Sequence, residues 1–417
     1  MDGAPARPGR QAAFGFIFTC AIANALSFGV MIPILPNLVK AFVGGDTARA
    51  SEWIVVFSVT WGLIQFFIGP VLGLLSDRYG RRPVLLISLF GLGIDFIVMA
   101  LAPNLAWLFL GRLISGATAG TFSTCNAYVA DITPPDQRAR AFGWMGSAMS
   151  IGFLAGPAIG GLLGDINLRL PFYAAAALTL LNWLYGLFVL PESLPKERRA
   201  VRFNWRKANP LGSLTLLRSH PDLVGLATVG FLAQLSQIAW PSVFVLYTGY
   251  RYGWDTRTVG LVLMAGGLVG VLGQTFVVGP AVARIGERGA LLVGTFVGAV
   301  SATWAGIAWA GWLYLAGLPL GLLGGLLIPG LQGLMTRRVS PQEQGQLQGA
   351  NQCLNGFASL LGPIIYGLTF AWWVRHGHAM GLPAAPMVIA GALLAIAFLL
   401  ALRVARPRTA AVEAAAA

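Results

Sequence analysis

The chain has 417 residues, 56% hydrophobic and 10% charged, with a mean hydropathy of +0.72 and a formal net charge of +13. A soluble domain carries about 25% charged residues, so the composition excludes a soluble multi-domain protein and places most of the chain in lipid. The basic excess does not read as a nucleic-acid surface, because the basic residues fall in short segments between apolar runs, with no basic helix face.

Crossing a bilayer takes about 20 apolar residues per helix, and twelve such runs follow one another. In the first half they cover roughly 13–35, 52–75, 83–102, 105–131, 141–163 and 171–190. In the second half they cover roughly 222–247, 258–280, 289–309, 312–335, 346–374 and 385–403. The first run is too long for the apolar core of a signal peptide and reads as a retained membrane helix. The one long polar segment, 191–221, carries Glu192, Lys196, Glu197, Arg198, Arg199, Arg202, Arg206, Lys207 and Arg218. It divides the chain into a six-helix bundle (1–190), a central loop (191–221) and a second six-helix bundle (222–417). The expected fold class is an all-α membrane protein with twelve transmembrane helices in two six-helix bundles. With the N-terminus inside, three-quarters of the 28 Lys and Arg fall on the cytoplasmic side, which puts both termini there. The Ala-rich C-terminal segment reads as unstructured.

The candidate functional residues appear in chain order. Asn24 in the first run and Gln65 in the second are polar groups on apolar helices. Between the second and third runs stands Gly73-Leu-Leu-Ser-Asp77-Arg78-Tyr-Gly80-Arg81-Arg82-Pro. Its charges belong in a short loop at a membrane surface, because charge is costly in hydrocarbon. Retention of the loop inside explains Arg78, Arg81 and Arg82, but not Asp77 or the glycine spacing. Asp95 is the one acid deep in an apolar run. Desolvation penalises its charge, which makes it a candidate to bind and release a proton, or an acid paired with Arg112 for packing. Arg112 stands early in the fourth run, as a partner for a nearby acid or as an anchor that snorkels to the interface. The fifth run holds Gly152, Gly156, Pro157, Gly160 and Gly161, whose small side chains permit close helix packing. Gly362-Pro363 is a plausible counterpart in the eleventh run.

Gln234, Gln237 and Trp240 in the seventh run, Gln274 in the eighth, and Gln348, Gln352 and Asn355 on one face of the eleventh complete the polar set. With Phe244 they describe an amphipathic pocket of amides and aromatic rings for a small-molecule substrate. Cys20, Cys125 and Cys353 are far apart inside apolar runs and read as packing residues. No metal-ligand spacing, Ser/His pair or HExxH pattern is present, so no metal, no cofactor and no enzymatic activity are expected. His220, His376 and His378 fall in expected loops.

The loop pattern G-x-x-x-D-R-x-G-R-R resembles the major facilitator superfamily. Further segments resemble tetracycline efflux proteins among the drug:proton antiporters: Gly29-Val-Met-Ile-Pro33, Leu110-Gly-Arg112-Leu-Ile-Ser-Gly, Phe142-Gly-Trp-Met-Gly, Ala155-Gly-Pro-Ala-Ile-Gly-Gly, Arg251-Tyr-Gly-Trp254-Asp and Gln344-Gly-Gln-Leu-Gln-Gly349. The resemblance implies a proton-coupled efflux transporter, with tetracycline-like drugs as the best single substrate. It implies a gating latch made by Gly73, Asp77, Arg78, Gly80, Arg81 and Arg82, with Asp95, Asp77 and Arg112 in proton coupling. The fifth-run glycines and Pro157 match the antiporter motif. In the second half the matching loop, Gly279-Pro-Ala-Val-Ala283-Arg-Ile-Gly286-Glu-Arg288, carries Ala283 in place of the acid, so the latch is expected to be asymmetric. The sequence departs from the family's ionisable pattern at Asn24, Gly270 and Gly298. A proton-independent facilitator or symporter is therefore kept as an alternative, and a non-transporting membrane sensor as one from another class. The implied partners are substrate, protons and lipid bilayer, with no nucleic acid and a functional monomer. The implied location is a bacterial inner (plasma) membrane.

Overall fold

The computed structural model describes residues 8–199, 216, 219–340 and 342–405. Arg7, Arg202, Arg206, Lys207, Arg218 and the Ala-rich tail lie outside the described residues. Helices account for the structure, and no strand occurs among the described residues.

The helices are α1 (Pro8–Met31), α2 (Leu35–Phe42), α3 (Thr47–Tyr79), α4 (Arg81–Leu101), α5 (Leu105–Ala117), α6 (Thr121–Ile132), α7 (Arg138–Ile166) and α8 (Leu170–Val189). After the central segment come α9 (Pro221–Gln237), α10 (Ala239–Tyr252), α11 (Thr256–Leu272), α12 (Gly279–Ile307), α13 (Gly311–Ala316), α14 (Leu320–Gly324), α15 (Leu327–Thr336), α16 (Gln344–Trp372) and α17 (Ala385–Val404). Two π-helical turns, Gly273–Val278 and Trp373–Gly377, join α11 to α12 and end α16. Asp46 and Asn104 cap α3 and α5 by accepting backbone N–H bonds, so those starts are written in the sequence.

Among the described residues, ten helical stretches are long and apolar enough to cross a membrane. One of them, Thr256–Ile307, is 52 residues long and turns at Gly286 (φ 69), so it makes two crossings. The broken helix over 311–336 makes another. The twelve expected crossings are thus present among the described residues, but several are not single helices. The tenth run, expected to be continuous over 312–335, is three short pieces. Gly317, Gly324 and Gly325 weaken the helix and Pro319 removes a donor, so i→i+3 turns take over, as in Gly321 N to Leu318 O at 2.9 Å. The first, fourth and seventh runs also break, near Pro33, Gly120 and Ile238.

The chain divides into two compact units: Met1–Pro210 with Val245–Gly267, and Leu211–Phe244 with Leu268–Ala417. In the first unit α7 lies along α1, and the glycines explain how closely. A side chain at Gly156 would stand 2.7 Å from Gly29 Cα, and one at Gly152 would stand 2.5 Å from Ala25 Cβ. Pro157 does not interrupt α7, which is continuous from Arg138 to Ile166. Around this seam Phe16, Ile17, Cys20, Leu85, Leu89, Cys125, Tyr128 and Met145 form the core. In the second unit Leu223, Leu226, Leu291, Leu331, Leu347 and Ala397 do the same.

Candidate functional site: a buried ion pair and a charged clasp

Asp95 is fully buried in α4, and Arg112 reaches it from α5. Arg112 Nη2 donates to Asp95 Oδ2 at 2.9 Å and contacts Met99 Sδ at 3.0 Å. Arg112 is 5% exposed, so it is a buried partner rather than a snorkelling anchor. Gly111, beside it, was not singled out from the sequence. A Cβ there would stand 2.6 Å from Asp95 Oδ1, so the bare backbone makes room for the carboxylate. Oδ1 of Asp95, Nε of Arg112 and Oγ of Ser115 have no hydrogen-bond partner among the described residues. A buried pair with unmet polar atoms is held by Coulomb attraction against a large desolvation cost. Adding a proton to Asp95 would remove that attraction.

At one end of the same bundle lies the charged loop. Gly80 takes φ 108, which lets α3 end and α4 begin within one residue. Arg81 is the hub: its Nε donates to Asp131 Oδ2 at 3.0 Å, and its Nη1 donates to Ser76 Oγ at 3.0 Å and to Asp77 Oδ1. Asp77 and Arg81 are therefore brought together. Arg82 turns away and donates to Leu187 O at 2.6 Å. Arg78 lies over the Tyr79 ring at 5.3 Å. No side chain at Gly73 would meet a neighbour within 4 Å, so close packing is not its role here.

Two acids that the sequence did not point to as partners of Arg81, Asp131 and the loop residue Glu192, complete this clasp. Asp131, at the end of α6, holds Arg81 and accepts from Ser193 Oγ at 3.2 Å. Glu192 accepts from Arg81 N at 2.8 Å, Arg82 N at 3.3 Å and Leu194 N at 3.0 Å, and pairs with Arg199 at 3.6 Å. A cation at a helix N-terminus is unfavourable, and here Arg81 and Arg82 open α4. The Glu192 carboxylate supplies the missing anion and caps the exposed N–H groups. A Cβ at Gly80 would collide with it. The available signal was the Pro191-Glu-Ser motif directly after the sixth run.

The polar set lies on several helices. Gln348 and Gln352 are exposed on α16, Asn355 is half-buried there, and Gln348 Nε2 donates to Gln332 Oε1 at 3.4 Å. Gln274 is exposed on the π turn Gly273–Val278, a local irregularity common at functional sites. Gln234 and Gln65 are half-buried and Gln237 exposed. Trp240, Phe244 and Tyr314 form a three-ring cluster with centroids 6.0 to 6.1 Å apart. Asn24 is buried, with Nδ2 unpartnered among the described residues. Cys20 and Cys125 are free thiols, with Sγ atoms 3.9 Å apart. His220 is 3.7 Å from Glu343, which bonds from Ser340 hold below the usual carboxylate range. His376 stands on the π turn Trp373–Gly377 rather than in a loop.

The Major Facilitator Superfamily profile matches residues 17–302 and 252–417. The chain is 39% identical over 348 residues to the tetracycline resistance protein, class C, of Escherichia coli, covering 84% of this chain and 87% of that one. It is 37% identical over 357 residues to the class G protein of Vibrio anguillarum, covering 84% and 89%. A bacterial homologue of the human lysosomal transporter Spinster, solved inward-facing and unoccupied, shares the fold with a TM-score of 0.75 at 17% identity, over 97% of this chain and 98% of that one.

Proposed function

The chain belongs to the major facilitator superfamily, and within it we propose a proton-coupled antiporter that exports a small amphipathic compound, a tetracycline-like drug first among candidates. It is a multi-pass membrane transporter of small molecules. On this reading it sits in a bacterial inner membrane with both termini cytoplasmic and works as a monomer. Its rocking halves are 1–190 and 222–417, joined by 191–221.

The single observation that carries the reading is the buried Asp95–Arg112 pair. A proton from outside would neutralise Asp95 and break the pair, leaving Arg112 uncompensated. Restoring the pair on the inner side would expel the proton and reset the carrier. Asp77 and Arg81, with Gly80 as the turn and Arg78 and Arg82 beside it, would open and close the cytoplasmic end. Gly152, Gly156, Pro157, Gly160 and Gly161 would keep α7 close to its neighbours during the motion. Asn24, Gln65, Gln234, Gln237, Gln274, Gln348, Gln352 and Asn355 would give hydrogen bonds to substrate, and Trp240 an aromatic face. The named relatives support the substrate class, since they are tetracycline resistance proteins.

Expression in a pump-deficient bacterium tests the proposal. Raised resistance to tetracyclines, abolished by a protonophore, is expected. Unchanged susceptibility across a drug panel contradicts it. A proton-independent facilitator is the second reading, favoured by Asn24, Gly270 and Gly298, where an antiporter of this type would carry ionisable groups. Gly298 faces Leu394, and a Cβ at Gly298 would stand only 3.1 Å from Leu394 Cδ1, so an acid there would strike the core of the second unit. Flux indifferent to a pH gradient would select this reading.

A further inference from the structure

One constant offset carries Gly73 onto Gly279, Gly80 onto Gly286 and Gly156-Pro157 onto Gly362-Pro363. The same offset carries Arg81 onto Glu287 and Asp131 onto Arg337. In the first unit Arg81 and Asp131 are paired at 3.0 Å. In the second unit Glu287 Oε1 and Arg337 Nη2 are paired at 2.8 Å. The two pairs are equivalent in position and opposite in polarity. The second-half loop, which looks degenerate at Ala283, therefore keeps a clasp one turn further on.

The site is built for Glu287. Gly286 takes φ 69 and makes the corner. Gly330 and Gly333, on α15, form a cradle. A Cβ at Gly333 would stand 2.7 Å from Glu287 Cγ, and one at Gly330 would stand 2.7 Å from Glu287 O. Only glycines let Glu287 lie this close to α15. The side chain of Glu287 is 20% exposed, that of Arg337 is 75% exposed. One partner is fixed and the other is free to leave, as a reversible contact requires. A pair with one partner this exposed is screened by water and contributes little, so thermal motion can break it.

The inverted polarity has a physical reason. Glu287 directly follows the corner at Gly286, where the next helical segment starts. An anion there complements the helix dipole without help. Arg81 at the equivalent place opposes the dipole and needs Glu192. The first half thus joins Arg81 to Asp77, Asp131 and Glu192, where the second half joins Glu287 to Arg337.

We infer that Glu287 and Arg337 are the latch of the second half, a pair of positioning residues whose release sets the rate of the transport cycle. The inference rests on the transporter reading above. It is tested in the full-length protein with Glu287→Gln, Arg337→Gln and the double variant. Hydrogen exchange across 282–290, read without any drug, should rise about two- to fivefold in each single variant and no further in the double, because the same contact is lost. Tetracycline uptake into everted vesicles should change several-fold in maximal rate, with KM within about twofold. A role in fold maintenance alone would lower the amount of folded protein and leave the rate per molecule unchanged. Parental exchange in the single variants, additive effects in the double, or an unchanged rate per molecule would overturn the latch. If the parental chain moves no tetracycline, the substrate reading falls and the exchange pattern alone decides the latch.

Discussion

Asp95 and Arg112 face each other in a place where neither charge has water to fall back on. Replacing Arg112 with Leu leaves Asp95 buried and unpaired, a loss of about 3–5 kcal/mol. Thermal unfolding in detergent should show it as a marked drop in midpoint. Arg112→Lys keeps the charge but not the planar fork, and should recover part of that loss. Gly111→Ala probes the same pair from its other side. Its methyl would press on Asp95 Oδ1, so proton-driven uptake should fall while the protein still folds; uptake at the parental rate would show that the carboxylate has room to spare. At Gly80 two constraints coincide, φ 108 and the Glu192 carboxylate. Gly80→Ala should therefore cost about 1–3 kcal/mol from backbone strain alone, readable as a lower unfolding midpoint. Glu192→Gln should loosen the start of α4, seen as faster hydrogen exchange at Arg81 and Arg82.

The seam between α1 and α7 shows what the elements contribute. Gly156 lies against Gly29 with no space for a side chain, whereas Gly146 on the same helix has nothing within 4 Å of its missing Cβ. Gly156→Val should force the helices apart and cost about 1–3 kcal/mol or more. Gly146→Ala should be neutral or slightly stabilising. Equal midpoints for the two variants would show that the seam is not a tight one. Run length and hydropathy made all twelve crossings legible, because lipid demands long apolar segments. They could not reveal the three pieces of the tenth crossing, since glycine and proline are common in membrane helices and only the packing decides where they break. The same limit applies to charge. Asp77, Asp95, Arg81 and Arg112 were legible because each is an ionisable group beside or within an apolar run. Asp131 and Glu192 were missed because their partner Arg81 is distant in sequence, and only the fold brings them together. Glu287 and Arg337 were hidden because Ala283 removes the acid from the matching position, and the charges that remain are exchanged in sign and distant in sequence.

At the scale of the molecule the two halves solve one problem with different chemistry. The first keeps a buried acid and its arginine, and a clasp centred on a cation. The second has a clasp centred on an anion and offers mainly neutral amides and aromatic rings. In the proposed cycle, energy coupling thus belongs to the first half, and substrate contact falls largely to the second. In that cycle Asp95 is the residue that carries the proton. The most direct measurement is tetracycline flux in proteoliposomes under an imposed pH gradient, comparing the parental protein with Asp95→Asn at matched amounts of folded protein. The parental protein should show gradient-driven accumulation, and Asp95→Asn only passive equilibration. Gradient-driven accumulation by Asp95→Asn at the parental rate would contradict that role.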